Sequence, residues 1–107
     1  MMKTSFRDRH ERLRYLKARE IARRLPDEPH MIEQARRFVE ETMARDPHQT
    51  TYVAMWRALL ALPPGDIAAA LIEDSDRGEL LRETSPVFGN GFTSREIVAL
   101  LDRASPP

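Results

Sequence analysis

The side chains in this chain best suited to hold a metal or move a proton are His10, His30 and His48, together with the acids Glu73, Asp74, Asp76, Glu79 and Glu83. A helical zinc site wants two ligands one turn apart, and none of the histidines has a second ligand four residues away. The acids lack the glycine turn and ligand alternation of a calcium loop, so their expected work is capping and solvation. Ser75, Thr84 and Ser85 sit in polar turns without a Gly-x-Ser-x-Gly elbow around any serine, which leaves a hydrolytic triad unsupported. Gly89-Asn90-Gly91 has no strand before it, as a phosphate-cradling loop would need, and reads as a joint that lets Val87 and Phe88 reach the core. Cysteine is absent, which excludes a thiol nucleophile, a disulfide scaffold and thiolate metal ligands. The expectation is a chain with no catalytic, cofactor or metal residues, and therefore a non-enzymatic one.

Punctuation by proline, glycine and capping residues divides the chain into five or six helices. The first is expected from about Ser5 to Leu25, stopped by Pro26 and Pro29, and the second from about His30 to Arg45. Met31, Ile32, Ala35, Phe38, Val39, Thr42 and Met43 fall on one face of that second helix. Asp46 before Pro47 predicts the start of a third helix carrying Tyr52, Val53, Trp56, Leu59 and Leu60 inward. Pro63 and Pro64 end it, a short fourth helix covers Ile67 to Glu73, and Ser75 or Asp76 caps a fifth holding Leu80 and Leu81. After a loop from Ser85 to Phe92, Thr93 and Glu96 form a capping box for a last helix through Ile97, Val98, Leu100 and Leu101. No segment has the alternation of a strand, so the expected class is all-α, a compact bundle with a long basic N-terminal helix. The division is one domain, with 1–25 a basic helix or arm, 26–104 a helical body and 105–107 a frayed tail.

Charge is distributed unevenly over these elements. Residues 1–25 hold nine Lys or Arg against three acids, a local charge of +6, while the remainder holds eight against fourteen, or −6, so the formal net charge is zero. Such asymmetry points to an interaction surface. On the first helix Phe6, Leu13 and Leu16 cluster on one side, and Tyr15, Ala18, Ile21, Ala22 and Leu25 on another. One flat contact does not need both. Two readings follow: the helix folds back as an ordinary amphipathic element, or its N-terminal half projects and offers Phe6, Arg9, Arg12, Leu13 and Leu16 to a partner. Basic residues in that position also suit phosphates, although an acidic body repels a polyanion. The segment from Ile67 to Arg82 has the outline of a helix-turn-helix, yet its second helix exposes Asp76, Glu79 and Glu83, an unfavourable surface beside DNA. The longest mainly apolar run, Ile67 to Ile72, is far short of the roughly 20 residues that span a bilayer, and the N-terminus is charged where a signal peptide is apolar. The cytoplasm is the expected compartment.

The segments Trp56-Arg-Ala-Leu-Leu, Asp74-Ser75-Asp76-Arg77-Gly78, Leu81-Arg82 and Ser85-Pro86-Val87-Phe88-Gly89, after a basic helix with His10 and Tyr15, resemble small helical bacterial antitoxin-like proteins encoded beside a toxin gene. The chain departs from that pattern after Gly89, where Asn90-Gly91-Phe92 and a further helix replace a more aromatic ending. The resemblance implies a protein that covers a toxin by stoichiometric binding, with no cofactor and no membrane. The rival expectations are a nucleic-acid-binding transcriptional regulator and a small homodimeric structural or adaptor protein.

Overall fold

The computed structural model describes residues 5–89 and 92–104, and in it Asp8 opens the first helix by accepting the Glu11 backbone N–H at Oδ1, 2.8 Å away. An aspartate that caps must itself be extended, so α1 runs Arg9–Arg24 and starts later than the Ser5 expected from composition. The prolines end it as expected, and α2 follows at His30–Glu41 with Met31, Ile32, Ala35 and Val39 buried and Phe38 half-buried. Thr42, assigned to the inward stripe by its spacing, is exposed, because α2 gives way there to a 3-10 turn at Met43–Arg45.

Asp46 caps as expected, accepting the His48 N–H at 2.9 Å, but what it starts is a second 3-10 turn, Pro47–Gln49. The α3 helix begins only at Thr50 and ends at Leu60. Three short helices complete the chain: α4 at Pro64–Leu71, α5 at Asp76–Glu83 and α6 at Ser94–Ala104. The architecture is all-helical, six α-helices with no strand among the described residues. Asn90 and Gly91 of the expected loop, and the expected frayed tail, lie outside the described residues.

The core gathers apolar side chains from five helices around Trp56, which is fully buried on α3. Its ring meets Phe88 edge-on, with centroids 6.1 Å apart, a preferred aromatic geometry. Burial of an indole N–H requires an acceptor, and Thr84 supplies one: its Oγ1 accepts from Trp56 Nε1 at 3.0 Å while donating to Leu80 O at 2.8 Å. Phe88 plugs the core as the sequence predicts, whereas Val87 beside it points to solvent at 44% exposure.

The turn between α4 and α5 is built by three residues. Ser75 Oγ accepts the Gly78 N–H at 3.0 Å and caps α5. Arg82 Nη1 donates to Leu71 O and Glu73 O at 3.1 and 3.0 Å, closing carbonyls left open where α4 ends. Gly78 lets the chain approach itself, since a Cβ there would stand 2.0 Å from Glu73 O and 3.0 Å from Arg82 Nη1. Gly78→Ala is therefore expected to lower stability by about 1–3 kcal/mol in urea unfolding. Gly65→Ala, with nothing within 4 Å of the new methyl, should be neutral or stabilising by up to about 1 kcal/mol. Equal midpoints for the two variants would show that the close approach does not constrain the turn.

Candidate interaction surface

At 100° per residue α1 presents three working sides. The first carries Glu11, Tyr15, Ala18 and Ala22, all buried where α1 crosses α4 and α5. Glu11 is an unexpected member of that side, a carboxylate only 4% exposed. It is tolerated because it accepts from the Arg7 backbone N–H at 2.6 Å and from Arg7 Nε at 3.1 Å. Arg7 and Arg14 also reach Glu83 of α5, at 3.5 and 3.9 Å. These pairs pin the N-terminal half of α1 along the body.

The second side faces α6. Arg24 hydrogen-bonds Glu20 on its own helix and Glu96 on α6, and its guanidinium lies 5.8 Å from the Phe92 ring centroid. Glu96 also closes the capping box predicted from sequence: it accepts the Thr93 N–H at 3.1 Å, and Thr93 Oγ1 accepts the Glu96 N–H at 3.1 Å. Leu13 stands three turns before Arg24 on this side and is half-buried. The second apolar set of the sequence, Phe6, Leu13 and Leu16, is divided in the structure: Phe6 meets Tyr15, and Leu13 and Leu16 are half-buried on the helix.

The third side faces solvent. Arg9, Arg12, Leu16, Arg19 and Arg23 recur at alternating intervals of three and four residues, a seam about 21 Å long. Arg9, Arg19 and Arg23 are exposed, and Arg12 and Leu16 half-buried. Arg23 pairs with Glu20, but the side chains of Arg9, Arg12 and Arg19 have no ion-pair partner among the described residues. Of the five residues singled out in the sequence, the structure brings Arg9, Arg12 and Leu16 onto this seam. Leu13 is half-buried off the seam, and Phe6, half-buried before the helix, meets the Tyr15 ring at a tilt with centroids 5.5 Å apart. Arg19 and Arg23 were missed, although their heptad-like spacing from Arg9 was the available signal.

Other candidates contract. His10, His30 and His48 are exposed on separate segments, and no group of three His, Cys, Asp or Glu among the described residues is placed to hold a metal. The α4–turn–α5 pair forms, but Arg82 turns inward, leaving Arg77 the one exposed cation on α5 beside exposed Asp76 and Glu83. That surface disfavours a major-groove contact. No described helix is long and apolar enough to cross a membrane. Compared with protein families, characterised proteins and solved structures, the chain matches none.

Hydrogen bonding by Arg24, reinforced by the Thr93 N–H and hydroxyl, holds the Glu96 carboxyl down to about 2 from its usual 4.5. A carboxyl lowered in the folded state contributes stability that is complete above its unfolded value and is lost as pH falls toward the folded one. Glu96→Gln keeps a capping residue but removes the charge. Its stability deficit relative to the unaltered protein should be largest near neutral pH and shrink between about pH 4.5 and 2, read from urea midpoints. A deficit independent of pH would show that the Arg24 contact is not ionic.

Proposed function

We propose that this chain is a non-enzymatic binding protein that engages an acidic, helical segment of a protein partner along the α1 seam. The observation that carries the reading is the seam itself: three guanidinium groups without partners among the described residues flank Leu16 at the spacing by which one helix meets another. A partner helix with acids at matching intervals and one apolar contact opposite Leu16 complements it in charge and in register. Charge complementarity accelerates encounter, and the desolvated pairs at the centre slow dissociation. Neutralisation of a toxin by one-to-one occupation is the narrower form of this proposal, supported by the sequence resemblance.

The experiment is affinity capture of the tagged chain from its host at moderate salt, with mass spectrometry and an absorbance ratio for nucleic acid, repeated with Arg12→Glu/Arg19→Glu. One stoichiometric protein is expected, its affinity weakened about tenfold or more by the double reversal while thermal melting stays unchanged. Nucleic acid recovered without protein, with steep salt dependence, would replace this reading with that of a regulator. A stable dimer that captures nothing would replace it with that of an adaptor subunit.

A further inference from the structure

A pocket of about 250 Å³ opens on the flank of α1 away from the seam, where that helix meets α4, α5 and the segment before α6. Its inner wall is apolar and nearly inaccessible, with Ala18, Leu71 and Phe88 all below 10% exposure, and half-buried Ile21 and Phe92 continue it outward. Three cations and no carboxylate line it. Lys17 has no ion-pair partner among the described residues, and Arg14 is held only loosely by Glu83 at 3.9 Å. Arg14 and Lys17 stand three residues apart on one face of α1, close enough to share a single anion. Behind them Arg82 is 6% exposed, has no ion-pair partner among the described residues, and keeps one guanidinium nitrogen, Nη2, without an acceptor. Glu79, Glu11 and Asp74 act on Arg82 through space without lining the pocket, so the charges that face its interior are the cations of Arg14, Lys17 and Arg82.

We infer that this pocket binds a small amphipathic carboxylate, its apolar body against Ala18, Ile21, Leu71 and Phe88 and its anionic head between Arg14 and Lys17. The volume sets the size: cavities of about 150 Å³ hold benzene and drug-sized ligands need at least about 300 Å³, so the ligand has on the order of ten heavy atoms. An apolar wall without a cationic rim would take neutral and anionic compounds alike. Here the rim separates them, because a carboxylate gains charge-assisted hydrogen bonds that an alcohol of the same length does not. The site is independent of the seam, which lies on the opposite flank of α1.

The test uses sodium octanoate as the probe, with octanol and octylamine as neutral and cationic counterparts, measured by calorimetry and by amide shifts in nitrogen-labelled protein. Octanoate is expected to bind one-to-one and shift Ala18, Ile21, Leu71 and Phe88, with octanol about tenfold or more weaker and octylamine weaker still. Arg14→Gln/Lys17→Gln should bring octanoate down to the level of octanol. Equal affinity for octanoate and octanol, shifts confined to other residues, undiminished binding to the double variant, or no saturation below about 10 mM would each overturn the assignment. The octanol comparison uses the unaltered protein and decides the matter even if the double variant does not fold.

Discussion

The guanidinium of Arg82 is the point at which three helices are tied. It projects from α5, closes the carbonyls that end α4, and lies 5.2 Å from the centroid of the Tyr15 ring on α1. Burying a cation is costly, and desolvation pulls its pKa below the usual guanidinium value. The cost is offset by the two carbonyls and the face of the tyrosine, both of which prefer a positive charge. Because those acceptors come from different elements, the arginine fixes the angle between α4 and α5 and the place where α1 crosses them. The close approach at Gly78 and the buried Tyr15 are consequences of the same arrangement.

Features set by neighbours in sequence were legible. The Thr93–Glu96 box, the proline stops and the stripe from Met31 to Val39 all follow from spacing within a few residues, and each is present. What was not legible depends on distant partners. Nothing near Arg24 announces Glu96, 72 positions away, and so the place where α6 meets α1 could not be read from the first helix alone. Arg82 is likewise buried by acceptors outside its own turn, Leu71 O and Glu73 O. In the segment between α5 and α6 Phe88 takes the place against Trp56, and Val87 beside it is left exposed. For the candidate surface, helical spacing places Arg9, Arg12 and Leu16 on one side of α1. Separating them from Leu13 and Phe6 required knowing which sides of the helix were already taken.

The charge segregation has a physical use in this arrangement. Acids on the body draw Arg14 and Arg24 of α1, and Arg7 just before it, inward as tethers, through Glu83 on α5 and Glu96 on α6. Those cations tether the helix, and of the ones left over Arg9, Arg12 and Arg19 lie on its outer side and Lys17 at the pocket.

Glu96 gives the last helix an unusual economy: one oxygen closes the first turn of α6 and the other moors it to Arg24. Forming α6 and docking it are therefore the same event. During synthesis α1 emerges long before its mate, and Arg24 has only Glu20 of its own helix to bind until α6 has left the ribosome. The carboxylate that caps the last helix is thus also the partner that the first helix lacks until the chain is nearly complete.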